Sequence, residues 1–317
     1  MGSVACLGDI DLDLVVRVDR YPRSGEEAFA RETEMGVGGS AANTAVVLTR
    51  LGFRTMLLAQ VGADDFGRRA TGDLARLGVD VSRVATTGDD TTGMNVIVVD
   101  PDGERTMIGL RGANRTFGGV AGWEEGCDWL HLSAYALLEE PQRSSALGAL
   151  AVARRLGIPF SVDVPSGVAR ALGPTLRPAL EGAAVVAAGR RSIEAVADPV
   201  SDLAAGVGTL AITDGDRPLT LLRHDRQVRM SPPAVEVVDT TGAGDSFVAG
   251  LIASRRWDLG TGATAVAAAA LGAAATLGRG AGASLSEPRA LREVLDPRWW
   301  ADVDPSWLEE AAAALPR

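Results

Sequence analysis

Short β-branched and apolar runs alternate with longer stretches of helical period along most of this chain, and that alternation limits its fold more than any other feature. After the apolar run Leu57–Gly62, the residues Phe66, Ala70, Leu74 and Leu77 recur on one helical face, and Gly78 stands where the helix should stop. Pro141 opens a second such stretch, with Leu147, Leu150, Ala153 and Leu156 expected inward and Gly157 behind it. The strand Phe160–Val164 follows directly. Further strands are expected at Trp129–Ser133, Ala184–Ala188, Thr209–Thr213 and Val235–Val238. Strands joined by helices of this length pair in parallel, which predicts an α/β fold with a doubly wound, mostly parallel sheet flanked by helices. The 317 residues suffice for one domain over the whole chain, with a proper core.

Two stretches break the rhythm. From Ile10 to Val18, Ile10, Leu12, Leu14 and Val16 alternate with Asp9, Asp11 and Asp13, the pattern of a half-exposed strand with three carboxylates on one face. From Thr92, the run GMNVIVVDPDGERTMIGL reads as a hairpin turning at Pro101–Asp102–Gly103. These antiparallel pieces, within about residues 10–36 and 92–112, are expected to form a small β-sheet lid inserted in the domain. Ala263 to Leu277 reads as a buried Ala-rich helix, too short to span a bilayer, and two helices are expected after Pro288.

Composition removes several kinds of chemistry. All 31 basic side chains are arginine, so a Walker-A lysine, a kinase strand lysine and a lysine Schiff base are excluded. Any phosphate must be met by backbone N–H groups, arginine or a metal. Cys6 and Cys127 are too few for a disulfide framework, and His131 and His224 have no partner at catalytic spacing. The net charge of −10 argues against a nucleic-acid partner. The opening MGSVACLGDIDLDL has no signal-peptide pattern, so a cytoplasmic location without membrane association is expected.

Asp239-Thr240-Thr241-Gly242-Ala243-Gly244-Asp245 follows the expected strand Val235–Val238 and leads into an apolar helix, Ser246–Ala253. A Gly-rich turn at a helix start gathers free N–H groups into an anion site, and Asp245 in the first turn could take a proton from an attacking hydroxyl. A tight turn with Asp245 as a capping residue fits the spacing equally well. Gly36-Val37-Gly38-Gly39-Ser40-Ala41-Ala42-Asn43 can be misread as a dinucleotide loop, but no clear parallel strand leads into it. It fits a helix capped by Ser40, with glycines open to a polyhydroxyl ligand, or simple close packing of a helix start. The Asp9–Asp13 stretch mimics an EF-hand but has Leu14 where Gly is needed. It reads as a solvated edge, or as Asp11 and Asp13 accepting from sugar hydroxyls. Gly62 to Arg69 has Arg68 where a P-loop needs lysine.

Taken together these residues resemble the ribokinase-like (PfkB-type) carbohydrate kinase family. Gly8-Asp9-Ile10-Asp11-Leu12-Asp13 looks like its first strand, Gly38-Gly39-Ser40-Ala41-Ala42-Asn43 like its sugar-binding stretch, and DTTGAGDSFVAG from Asp239 to Gly250 like its C-terminal signature. Gly62-x-Asp64-Asp65-x-Gly67 and Arg111-Gly112-Ala113-Asn114 add weaker similarity. The resemblance implies phosphoryl transfer from ATP, with Mg2+, to a hydroxymethyl group of a small sugar. Asp245 is then the base and Gly242, Ala243 and Gly244 the anion hole. Asp11, Asp13, Gly38, Gly39, Ser40 and Asn43 bind the sugar, and Thr213, Asp214 and Gly215 contact the nucleotide. Asp239 and Thr241, with Gly280 and Ser284, match positions that help bind a monovalent cation such as K+. The lid would exclude water, and its strands could pair across a twofold axis to give a homodimer.

Two positions depart from that family. Ser40 stands where ribokinases often carry lysine, and the strand Ala184–Ala188 is followed by Gly189-Arg190-Arg191-Ser192 where Asn-x-x-Glu should fall. Glu194 lies two residues late, and Arg190 or Arg191 could meet a phosphate instead. A nucleoside kinase of the same fold is the nearest alternative, with Tyr135 and Phe117 as candidate base contacts. A catalytically weak sugar-binding sensor is another.

Overall fold

A computed structural model describes residues 2–101, 105–224, 226–278, 288–300 and 303–315. The chain runs through β1 (Ser3–Leu7), β2 (Asp11–Val18), β3 (Ala30–Gly38), α1 (Ser40–Arg50), β4 (Arg54–Gly62), α2 (Asp65–Arg76) and β5 (Val84–Thr87). It continues with β6 (Gly93–Val99), β7 (Arg105–Leu110), β8 (Trp129–Ser133), α3 (Gln142–Leu156), β9 (Phe160–Val164), α4 (Ser166–Leu172) and α5 (Arg177–Leu180). Then come β10 (Val185–Gly189), α6 (Arg190–Val196), α7 (Val200–Ala205), β11 (Leu210–Asp214), β12 (Arg217–Arg223) and β13 (Arg226–Met230). Four helices close it: α8 (Ala243–Arg256), α9 (Thr261–Thr276), α10 (Pro288–Val294) and α11 (Pro305–Ala314).

The main sheet has nine strands in the order β13-β12-β11-β10-β9-β8-β1-β4-β5. The strands from β11 to β5 pair in parallel, and β12 and β13 add an antiparallel edge. Every residue of β1 is buried because helices cover both of its faces. Val4 and Cys6 face the α1, α8 and α9 layer, while Ala5 and Leu7 face the α3, α4 and α6 layer. Helix α9 lies within the first layer, which explains why its sequence is almost wholly small and apolar. Among the described residues no helix is long and apolar enough to cross a membrane.

The smaller sheet stands apart, with strand order β3-β2-β6-β7. The expected antiparallel pairing is only partly right, since β2 and β6 run parallel from Asp11–Gly93 to Arg17–Val99. Both strands leave the main sheet in the same direction, so they meet side by side. Asp102 and Gly103 of the expected hairpin turn lie outside the described residues.

Other expectations need correction. Val235–Val238 is not a strand: Val237 and Val238 are exposed, and the N–H groups of Val238 and Asp239 donate to the Thr276 carbonyl at the end of α9. Leu147 and Leu156 of α3 are exposed, and its inward face is Gln142, Ala146, Ala149, Leu150 and Ala153. Phe66 is also exposed, whereas Ala70 and Leu74 are buried as expected. The helices after Pro288 are present.

Helices α8 and α9 approach closely because Gly250 has no side chain. A Cβ there would sit 2.7 Å from Ala268 Cα and 3.0 Å from Leu271 Cδ1. Gly250→Ala should therefore destabilise the fold by about 1–3 kcal/mol, more than the gain in helix propensity returns. Urea unfolding reads the difference, and a midpoint equal to or above that of the parent would contradict the packing.

Candidate active site

The carboxyl ends of parallel strands are where doubly wound sheets present ligand crevices, and a lined cavity lies there. Its volume is about 660 Å³, and its wall includes Asp9 beyond β1, Tyr135 beyond β8, Asp163 on β9, Gly189 on β10 and Thr213 on β11. The small sheet adds Asp13, Asn95, Met107 and Leu110, while the starts of α1 and α8 add Ser40, Asn43, Gly242, Gly244 and Asp245.

Helix α8 begins at Ala243, after Gly242 with φ +74°, a conformation that favours glycine. The turn leaves Asp245 in the first helical turn, half-buried and facing the cavity. Its Oδ2 accepts from Asn43 Nδ2 at 2.8 Å, and its backbone carbonyl accepts from Thr44 Oγ1 at 3.4 Å. The carboxylate is thus oriented by helix α1, 202 residues earlier, rather than spent on capping α8. Gly242 and Gly244 line the cavity, and the Cβ position of Gly244 faces open space. The Ala243 amide donates to the Thr240 carbonyl at 3.3 Å.

Sequence reasoning missed Asp163. It is the last residue but one of β9, inside SVDVP, and its signal was a lone carboxylate near the carboxyl end of a parallel strand. Ser40 Oγ donates to Asp163 Oδ2 at 3.4 Å, so Ser40 is not the cap of α1. The cap position is Gly39, at φ +97°, without a side-chain capping bond. Burial pushes the Asp163 carboxyl up to about 7, with repulsion from Asp245 adding to it and the Ser40 bond opposing it. Burial also pushes Asp245 up to about 6, against the pull of Asn43 and Ser40.

The Asp9–Asp13 carboxylates are not a solvated edge. Asp9 and Asp13 are buried, and Asp11 lines the cavity. The Arg111 guanidinium grips both Asp9 oxygens at 3.1 Å, and Gln142 Nε2 donates to Asp9 Oδ1 at 2.8 Å. Asn114 Nδ2 donates to Asp11 Oδ1 at 2.8 Å, and Asn95 Nδ2 to Asp13 Oδ1 at 2.8 Å. Burial raises the Asp11 carboxyl well above the usual carboxylate range, and the charges of Asp9 and Asp13 raise it further. Gly38 and Gly39 serve close packing. A Cβ on Gly38 would lie 2.3 Å from Asp13 Oδ2, and one on Gly39 would lie 2.2 Å from the Asp9 carbonyl oxygen.

At the other end of the cavity Thr213 lines the wall, while Asp214 turns aside to accept from Arg190 Nε at 3.1 Å. Gly215 is exposed in the turn that follows, at φ +64°. Arg191 and Glu194 are exposed on α6. Asp239 Oδ1 accepts the Thr241 N–H at 2.9 Å and its hydroxyl at 2.6 Å. Arg105, on the small sheet, reaches the same oxygen at 3.1 Å and Thr240 Oγ1 at 3.4 Å, a link the sequence did not reveal. Gly280 and Ser284 lie outside the described residues.

The remaining singled-out residues have structural explanations. Asp64 caps α2 through the Gly67 N–H at 2.8 Å and receives Thr92 Oγ1 at 2.6 Å, which ties α2 to the segment entering β6. His131 is buried, bonded to Ser161 Oγ at 3.0 Å and pushed down to about 3 by burial. His224 is exposed between β12 and β13, and Phe117 lies in the core away from the cavity wall.

The sequence matches the profile of the pfkB family carbohydrate kinases over residues 1–288. It is 31% identical to the ATP-dependent ribose-1-phosphate kinase of Halopiger xanaduensis over 268 residues, which cover 80% of this chain and 85% of that protein. It is 29% identical to the ribokinase of Mus musculus, covering 78% of this chain and 80% of that one. Among solved structures, the Methanocaldococcus jannaschii nucleoside kinase aligns with a TM-score of 0.79 at 22% identity, covering 93% of this chain and 98% of that one. The Arabidopsis thaliana ribokinase complexed with ribose and ATP aligns with a TM-score of 0.77 at 20% identity, covering 92% and 98%. A profile match spanning most of the chain, over a sheet and cavity of the expected form, shows that this chain belongs to the PfkB family of carbohydrate kinases.

Proposed function

We propose that the chain phosphorylates a hydroxymethyl group of a small sugar with ATP, with Asp245 as the general base. The observation that carries this reading is Asp245 itself. It is half-buried, directed by Asn43, open to the cavity, and adjacent to a glycine turn at a helix start. The acceptor O–H gives its proton to the Asp245 carboxylate as the oxygen forms a bond to the γ-phosphorus, and the bond from that phosphorus to the ADP oxygen breaks. The N–H groups of Gly242 and Gly244 face the charge on the moving phosphoryl group. Asp11, Asp13 and Asn43 hold and orient the sugar hydroxyls, and the Arg105 bridge brings the small sheet down as a lid that excludes water.

Mg2+ fits the cavity: Asp163 is a half-buried carboxylate on its wall that no basic side chain pairs among the described residues. That residue would hold the ion, which neutralises phosphate charge when bound. K+ fits less well, because the Asp239 carboxylate is already engaged by Arg105 and Thr241, and no step is assigned to it. Homodimer formation through the small sheet is supported by the exposed Ile108 on its edge strand β7. Tyr135, Leu138 and Met107 give the cavity an apolar wall, which favours a nucleoside acceptor as the second reading.

Asp245→Asn should lower kcat by about 10²–10⁴-fold while sugar binding stays within a few-fold. The assay is ATP consumption over a panel of sugars and nucleosides. Tight sugar binding without turnover in the unaltered protein would mark a sensor rather than an enzyme. Because the base must be ionised, kcat/KM should rise with pH through about 6 and level off above it. A flat profile between about pH 5 and about pH 7 would exclude Asp245 as the base.

The same burial affects stability with a fixed sign. Asp163 binds its proton more tightly folded, at about 7, than unfolded, so its contribution to stability falls as pH rises from the unfolded value of 3.8 to about 7. Asp163→Asn should stabilise the fold by roughly 1–3 kcal/mol at pH 8 and by little near pH 4. Thermal unfolding across that range measures it, and parallel curves for the two proteins would contradict the assignment.

A further inference from the structure

A second concavity of about 440 Å³ opens where β10 and β11 end, and three guanidinium groups line it. Arg190 begins α6, Arg217 begins β12, and Arg229 lies on β13. The register places them together. Thr220 pairs with Ile212 on one side and Arg229 on the other, and Arg217 pairs with Asp214 at the turn. Asp214 is the one carboxylate on this wall, held by Arg190 at 3.1 Å. Arg217 and Arg229 are exposed, and no carboxylate pairs with either among the described residues. This concentration of positive charge stands out in a chain of net charge −10 whose basic residues are all arginine.

The main cavity presents the opposite balance. Asp9, Asp11, Asp13, Asp163 and Asp245 all line it. Of the arginines near it, Arg111 is held by Asp9 and Glu139, and Arg105 by Asp239. A triphosphate entering that cavity meets carboxylates at its acceptor end and needs positive charge elsewhere along its length. Gly189 and Thr213 of the cavity wall are the chain neighbours of Arg190 and Asp214, which line the guanidinium groove.

We propose that this groove is the polyphosphate-binding arm of the nucleotide site, with Arg190, Arg217 and Arg229 as its anion-binding residues. The proposal rests on the nucleotide-using reading above. Guanidinium groups present paired N–H donors that match phosphate oxygens. Asp214 holds Arg190 in place until a phosphate displaces it. Its carboxylate therefore opposes the nucleotide, which reverses the role expected for that side chain.

Calorimetric titration of the full chain with inorganic tripolyphosphate, ATP and adenosine tests this. Arg190→Ala and the double variant Arg217→Ala/Arg229→Ala should each weaken tripolyphosphate and ATP binding by about tenfold or more. Adenosine affinity should stay within about twofold, since it carries no phosphate. Asp214→Asn should change affinity in the other direction, tightening tripolyphosphate because it removes the competing carboxylate. Far-UV circular dichroism confirms that each variant is folded, and Arg217 and Arg229 are exposed enough to be replaced without loss of packing. Unchanged tripolyphosphate affinity in the arginine variants would overturn the proposal, as would weaker binding in Asp214→Asn. Loss of tripolyphosphate binding supports the groove whether or not any acceptor is phosphorylated, so a failure of the kinase reading is seen separately as absent turnover.

Discussion

Asn43 and Asp245 come from opposite ends of the chain, yet Nδ2 and Oδ2 lie 2.8 Å apart. That hydrogen bond exists only because α1 and α8 pack side by side on the same face of the main sheet, with their first turns level at the cavity floor. The level itself depends on small residues beneath: Gly250 against Ala268, and the Ala-rich face of α9. Loosening that packing would shift the start of α8, and with it the Asp245 carboxylate, relative to Asn43 on α1. A displacement of about 1 Å at such a point is enough to cost much of the benefit of pre-positioned groups.

The cavity is destabilising in itself. Several carboxylates sit in it with few cations to balance them, and burial raises Asp245 and Asp163 towards neutral pH. A protein selected for stability alone would have replaced these groups with neutral ones. Clustered carboxylates with raised pKa values in a cavity mark a candidate functional site rather than a stabilising one. Hydrogen bonds from Asn43, Ser40, Asn95 and Asn114 limit the cost by orienting each carboxylate.

Much of this was legible in the sequence, for physical reasons. The helical and strand periods report burial on one face or two, so the parallel sheet and the buried α9 followed from pattern. The DTTGAGD turn was legible because a positive-φ glycine before an apolar helix is a local requirement. The strand expected at Val235–Val238 failed because β-branched residues also suit extended chain that pairs with nothing, and here the N–H groups go to Thr276. Leu147 and Leu156 misled because α3 buries alanines against the sheet and leaves its leucines outside. Asp163, Arg105 and the grouping of Arg217 and Arg229 with Arg190 were not read from the sequence, although Arg190 itself was named as a possible phosphate contact. Their contacts are to residues distant in the chain, such as Ser40, Asp239 and Asp214, which a local pattern does not reveal.

The most direct test is a structure of the protein crystallised with an acceptor sugar, ADP and aluminium fluoride, which mimics the phosphoryl group in flight. The expected result has the acceptor oxygen about 3 Å from the Asp245 carboxylate, with the fluoride ligands on the N–H groups of Gly242 and Gly244. A complex in which Asp245 stays turned to Asn43 while the acceptor oxygen lies against another carboxylate, Asp163 for instance, would contradict it.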